Sequence, residues 1–295
     1  GDQSVARAKE FAAEIAEEIR LHGGGNRRIA VDRVDTIGTF SLLAEGLTIE
    51  DGMALAENAR LIKSVDEIAA MRVAVAACEE GVRRMRAALR PGITENLLWS
   101  LLHQANIELG GEWIMTRLLC SGQRTNPWYQ ESSDKLLEEG EIVSFDTDLV
   151  GPYGYVCDIS RAWICGETRP ADRQRELLSV SWDQIEHNRA LLRPGVSTVE
   201  ISENSFRMPE KFVCQEYFGL IHGVGLGDEH PVAVPAKYAH RGVKNTILQP
   251  GMTVSIESYV GEVGGLDGVK LEEQVLITET GNEALSTYPI DETWA

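Results

Sequence analysis

An α/β fold of the α+β kind, with two similar halves related by a pseudo-twofold axis, is predicted for residues 60–295 by three observations. A turn motif recurs: Leu89-Arg90-Pro91-Gly92-Ile93-Thr94-Glu95 returns as Leu192-Arg193-Pro194-Gly195-Val196-Ser197-Thr198 about a hundred residues later, each copy preceded and followed by a helical stretch. That spacing is too long for a solenoid unit and suits a doubled half-domain. Four β-branched, apolar stretches bounded by Gly or Pro read as strands: Glu141–Val150, Tyr155–Ile164, Thr253–Tyr259 and Val269–Thr278. Finally, Ser64 stands where a helix N-cap belongs, ahead of a helical run to about Leu89.

The elements before that helix are smaller. Ser4–Leu21 carries helical periodicity, Gly23-Gly24-Gly25 breaks it, and Arg28–Val31 follows as a short strand. Ile49–Ala59 reads as a second helix, and the domain boundary is placed near Arg60. Residues 1–59 are then expected to be the C-terminal part of a truncated N-terminal α/β domain, or an unusually short appendage.

Composition removes several function classes. A formal net charge of −18 repels phosphate backbones and anionic lipid, and no basic patch offsets it, so no nucleic-acid partner is expected. No apolar run approaches the roughly 18 residues that cross a bilayer. Five cysteines, without CxxC spacing, argue against a disulfide framework or a structural zinc site and point to a reducing cytoplasm. The chain opens on Gly1 with no charged-then-apolar leader behind it, so a targeting segment is not expected.

The chemistry is carried by carboxylates in places that otherwise want to be buried. In Val143-Ser144-Phe145-Asp146-Thr147-Asp148-Leu149-Val150, two aspartates two apart on one strand would face the same way. Two carboxylates in an apolar setting repel each other and are costly to desolvate unless a cation neutralises them. Asp158 lies on the next strand, folded back by a Pro152–Gly154 turn, and Glu257 and Glu272 each sit in a later strand. His222, in His222-Gly223-Val224-Gly225, adds one imidazole. Each acid alone is an ordinary edge carboxylate; jointly they form an oxygen-rich set suited to a pair of divalent first-row ions such as iron, manganese, cobalt or zinc.

In this order the residues resemble the superfamily of methionine aminopeptidase, prolidase, aminopeptidase P and creatinase over about residues 60 to 290. The likeness rests on Ala59-Arg60-Leu61-Ile62-Lys63-Ser64 with Glu67-Ile68 and Met71-Arg72, on Gly140-Glu141-Ile142-Val143, and on Gly154-Tyr155 before Asp158-Ile159-Ser160-Arg161. It continues in the His222 motif, Leu248-Gln249-Pro250-Gly251-Met252 and Gly268-Val269-Lys270-Leu271-Glu272. The resemblance implies the pita-bread (creatinase/aminopeptidase) fold.

Departures from the peptidase pattern redirect the expected activity. Trp128, in Asn126-Pro127-Trp128-Tyr129, stands where peptidases of this type carry a His. Their second His, followed by Glu, falls on Glu229 counting forward from His222, or on Asp228 counting back from Pro231; either way a carboxylate replaces it. Asp146 and Asp148 precede Asp158 by twelve and ten residues, where the family spacing is eleven. Together these look like the superfamily's non-peptidase branch that cleaves dimethylsulfoniopropionate. That resemblance implies a metal-dependent lyase, a homodimer, bound iron or a similar metal, a small zwitterionic substrate, and Asp146, Asp148, Asp158, His222, Glu257 and Glu272 as ligands. Asp228 would be a buried, non-liganding base, with Tyr217 near the substrate and Trp128, Tyr129 and Tyr217 as aromatic faces for the sulfonium. Two other readings stay open: an X-Pro or creatinase-like hydrolase using His230 as acid/base, and a metal-free binding module.

Overall fold

The computed structural model describes residues 2–289 and Trp294; Gly1, residues 290–293 and residue 295 of the expected 60–295 domain lie outside the described residues. Two compact units divide the chain, Gly1–Arg60 and Leu61–Ala295.

The first unit runs α1 (Asp2–His22), β1 (Arg28–Val31), α2 (Thr36–Ala44), β2 (Thr48–Asp51) and α3 (Met53–Arg60). Ala12, Leu42 and Leu47 form its small core, with Ile29 and Ile49 packed on it. The expected helix Ile49–Ala59 is corrected: Ile49 and Glu50 belong to β2, which pairs in parallel with β1, and the helix starts only at Met53. Alternating burial of Ile49 against Ile29 outcompetes the helical pattern of the residues that follow.

The second unit opens as the sequence predicts. Ser64 and Glu67 exchange bonds in a capping box at the start of α4 (Val65–Ala88). Met71, Val75, Cys78, Val82 and Met85 recur at helical spacing and bury that face of α4 against Leu98, Trp99 and Leu102 of α5 (Glu95–Glu108). Short strands follow: β3 (Trp113–Ile114), β4 (Leu119–Ser121), β5 (Ile142–Asp146), β6 (Leu149–Val150), β7 (Val156–Cys157) and β8 (Ser160–Ile164). The second half repeats the plan with α6 (Asp172–Leu191), α7 (Thr198–Asn204), β9 (Ile221–Val224), β10 (Asp228–Ala233), β11 (Thr253–Gly261), β12 (Gly268–Ile277) and β13 (Asn282–Ala284).

The recurring turn is built twice with the same bonds. Gly92 and Gly195 adopt φ 87° and 88°, where a side chain would be strained. Gly92 N–H donates to Leu137 O and Gly195 N–H to Leu248 O, each at 2.9 Å; Leu137 and Leu248 return bonds to Ile93 O and Val196 O at 2.8 Å. Thr94 then caps α5 and Ser197 caps α7 through their side-chain oxygens.

The large sheet runs β10-β9-β11-β12-β8-β5-β4, with β13 also on β12, and a three-stranded sheet runs β3-β6-β7. α6 covers one part of the large sheet, where Leu177 and Ile185 meet Ile164, Val254 and Val260. Two expected strands prove interrupted. Glu141–Val150 splits into β5 and β6, which lie in different sheets, because Asp148 takes φ 37° between them. Tyr155–Ile164 splits at Asp158 and Ile159. Thr147 Oγ1 holds both breaks together, donating to Cys157 O at 3.2 Å and accepting from Ile159 N–H at 3.0 Å. Among the described residues no helix is long and apolar enough to cross a membrane.

Candidate metal centre

The two strand breaks and three adjoining strands converge on one cluster. Asp146 ends β5, Asp148 and Asp158 occupy the breaks, His222 lies on β9, Glu257 on β11 and Glu272 on β12. Strand register puts Glu257 directly opposite Glu272, Ser160 opposite both Glu272 and Asp146, and His222 opposite Ser255. Ligand atoms of Asp146, Asp148 and Asp158 lie within 4.8 Å of one another, as do those of His222, Glu257 and Glu272. His222 Nε2 stands 3.3 Å from Glu257 Oε1, 3.5 Å from Glu272 Oε1 and 3.6 Å from Asp158 Oδ2. Its Nδ1 lies 3.0 Å from Gly223 O; with Nδ1 donating there, Nε2 is left as the ligating nitrogen.

The polar surroundings hold these groups in place. Asp148 N–H donates to Asp158 Oδ1 at 3.2 Å, Thr116 Oγ1 to Asp148 Oδ2 at 2.6 Å, and Ser160 Oγ to Glu272 Oε2 at 3.0 Å. Asp146 Oδ1 is buried without a hydrogen-bond partner. An orphaned carboxylate oxygen in a set of five acids and one imidazole fits divalent metal binding.

Electrostatics express the same crowding. Burial, then mutual repulsion, pushes the carboxyls of Asp146 and Asp158 well above the ordinary aspartate range, and raises Asp148 to about 6 through burial and the nearby Asp228. Burial works against the charge on His222, but its bonds to Glu257 and Glu272 raise it well above the usual imidazole value. All four hold more protons folded than unfolded, so their contribution to stability is present below the unfolded values and is lost as pH rises through the folded ones. Glu272, shifted the other way, contributes stability that is fully present above about pH 4.5 and is lost as pH falls through its depressed value, outside the window from pH 5 to pH 8. The chelated chain should therefore melt at lower temperature at pH 8 than at pH 5, with Asp148 alone worth about 1 kcal/mol over that window. Calorimetry in chelator at both pH values checks this, and a melting point rising with pH would contradict it.

One member of the site escaped the sequence reading. Lys270, fully buried, places Nζ 2.7 Å from Glu257 Oε2, 2.9 Å from Glu272 Oε2, 3.2 Å from Asp146 Oδ2 and 2.7 Å from Ser160 Oγ. Burial alone would lower its pKa, but these carboxylates raise it well above the ordinary lysine value. The signal was available: Lys270 and Glu272, two apart on a strand, share a face. Lys270→Met should cost the chelated chain about 3–5 kcal/mol, as breaking a buried ion pair does. Bound cations make up part of that loss, so the rise in melting temperature on adding metal should exceed that of the unaltered protein. Equal losses with and without metal would count against this role.

Beside the cluster lies an aromatic wall. Tyr129 stacks on Tyr217 with centroids 5.7 Å apart and planes at 24°, and Lys270 Nζ is 5.2 Å from the Tyr217 ring centroid. Burial, then Glu257 and Asp146, raises the Tyr217 hydroxyl far above its usual value. Trp128 packs on Tyr259 and is only 5% exposed, so Tyr129, at 53%, is the accessible ring of that loop. Asp228 opens β10 with Oδ1 3.9 Å from His222 Nδ1, and its carboxylate lies within 4.8 Å of ligand atoms of Asp158 and His222. Its expected burial is overturned: as the first residue of a strand at the sheet's edge, its side chain is 64% exposed. His230, two residues on, belongs to none of the metal-capable groups among the described residues.

The model of metallopeptidase family M24 matches residues 69–279. The chain belongs to metallopeptidase family M24. Among curated proteins, this M24 member is 46% identical to dimethylsulfoniopropionate lyase DddP of Roseovarius nubinhibens and 45% identical to that of Roseobacter denitrificans, in each case over 99% of this chain and 66% of the relative. It is 27% identical to an Xaa-Pro dipeptidase of Pyrococcus furiosus over 78% of this chain and 64% of that protein. The chain thus spans just under two thirds of the length of the lyase relatives. Solved structures of an Xaa-Pro dipeptidase from Bacillus anthracis and an X-Pro aminopeptidase from Thermotoga maritima each superpose with a TM-score of 0.80 at 22% identity, covering 95% of this chain and 77% of theirs. That likeness establishes the expected pita-bread fold for this M24 member.

Proposed function

We propose that the chain is a carbon–sulfur lyase that cleaves dimethylsulfoniopropionate into dimethyl sulfide and acrylate at a site holding two divalent ions. The observation that carries this reading is a carboxylate, Asp228, set 3.9 Å from His222 where the resembling peptidases carry a second imidazole. The identity of 46% and 45% to two proteins named dimethylsulfoniopropionate lyase supports it.

In this reading Asp146, Asp148, Asp158, His222, Glu257 and Glu272 hold the ions, which when bound supply positive charge to the substrate carboxylate. Asp228 removes a proton from the carbon beside that carboxylate. The C–H electron pair becomes the C=C bond of acrylate, and the C–S bond breaks with its electrons on sulfur. The sulfonium leaves as neutral dimethyl sulfide, and the proton stays on Asp228. Tyr129 and Tyr217 present aromatic faces to the sulfonium, worth about 0.5–2 kcal/mol each. With its hydroxyl held protonated by burial and by the adjacent carboxylates, Tyr217 serves as a hydrogen-bond donor and leaves the base role to Asp228. Trp128 backs this wall from beneath, its ring 6.5 Å from that of Tyr129.

The finer attributes belong to the same proposal. The oxygen-rich set with one imidazole favours first-row ions, iron foremost and manganese, zinc or cobalt as alternatives. Homodimeric assembly follows from the family resemblance, and a cytoplasmic setting from the cysteine usage. Headspace detection of dimethyl sulfide from metal-loaded protein, run beside an X-Pro dipeptide assay, tests the activity. Sulfide without peptide cleavage supports the lyase. Cleavage without sulfide transfers the reading to a hydrolase with His230 as acid/base, and neither reaction, with no metal in the purified protein, to a binding module.

A further inference from the structure

We infer that the buried ion pair Lys63–Glu229 positions Asp228, holding the Gly225–Asp228 turn over His222; this rests on reading Asp228 as the base. Lys63 Nζ lies 2.8 Å from Glu229 Oε2 with the two side chains only 2% and 1% exposed. A pair so buried nets little stability against its desolvation cost, which shifts attention to the geometry it enforces. Glu229 is the residue after Asp228, and its other oxygen, Oε1, accepts the Leu226 N–H at 2.8 Å. One carboxylate thereby joins the turn backbone to a lysine 166 positions away.

The turn needs such a hold. Its sequence, Gly225-Leu226-Gly227-Asp228, has two glycines in three residues, which by themselves leave the backbone free to wander. A Cβ at Gly225 would lie 2.8 Å from both Glu229 Oε2 and Lys63 Cε, so the ion pair is packed directly on the turn. Gly225 O accepts from Val156 N–H at 2.8 Å, two residues from Asp158, and Lys63 N–H donates to Gly251 O at 2.9 Å. The pair is thus anchored at both ends to the elements that carry the cluster. Asp228, by contrast, is exposed and depends on its backbone for aim.

The test is the double substitution Lys63→Met with Glu229→Leu, which removes both charges together and avoids stranding one in the interior. Metal content should be unchanged and kcat should fall about 10- to 100-fold with KM little altered, the signature of a misplaced reacting group. Hydrogen exchange across residues 224–229 should speed up, since Leu226 N–H loses its acceptor. In an Asp228→Asn background the same pair of changes should lower the residual rate no further. An unchanged kcat with protection retained, or an equal fall in the Asp228→Asn background, overturns the positioning role. Full activity in Asp228→Asn alone would instead sink the base reading on which it rests, so the two failures are told apart.

Discussion

Asp158→Ala, and separately Glu272→Ala, should strip the protein of metal and take the proposed lyase activity down by about 1000-fold or more while leaving it folded. The metal loss follows from geometry: Asp158 belongs to the three-aspartate group, Glu272 to the His222 group, and each approaches His222 Nε2 within 3.6 Å. Survival of the fold follows from electrostatics. The Asp158 carboxyl is pushed well up by burial and by Asp148, Glu272 and Asp146, so deleting it relieves a conflict in the metal-free chain. Apart from the small cavity and the acceptor that Asp148 N–H loses, chelated Asp158→Ala should therefore melt no lower than the chelated unaltered protein, and it should gain nothing from added metal. Glu272→Ala removes a partner of Lys270, Ser160 and His222 and should melt lower, which makes the pair of variants informative together. Elemental analysis and melting curves with and without metal decide it; retention of metal by Asp158→Ala would exclude that residue as a ligand.

Much of this site was legible because its residues contradict their surroundings. Acids in β-branched, apolar stretches are conspicuous, and the structure gathers all six predicted ligand residues in adjoining groups. The recurring Arg-Pro-Gly turn was equally readable, since positive φ at Gly92 and Gly195 leaves a local mark that no packing alters. What alternation alone missed was the break at each aspartate. A period-two pattern has no way to register φ 37° at Asp148, which comes from tertiary bonds to Asp158 and Thr116. Lys270 was hidden for a related reason: a lysine in a strand normally marks a solvated face, and only the carboxylates of Asp146, Glu257 and Glu272, brought together from three strands, make its burial affordable. The exposure of Asp228 was likewise beyond local reading, being set by the position of β10 at the sheet's edge.

Asp228→Asn separates chemistry from metal binding. The substitution keeps shape and removes the proton acceptor, so a base at this position should lose about 100- to 10,000-fold in kcat, with KM and metal content close to those of the unaltered protein. Three outcomes carry different meanings. Because the Asp228 carboxylate lies within 4.8 Å of ligand atoms of Asp158 and His222, a loss of metal would make it a ligand, and its catalytic effect would then be indirect. Full turnover would remove it from the mechanism. Loss of turnover with metal retained leaves the base role, and it has a physical corollary: a carboxylate 64% exposed is well hydrated, so the substrate itself must displace water for the proton transfer to be fast.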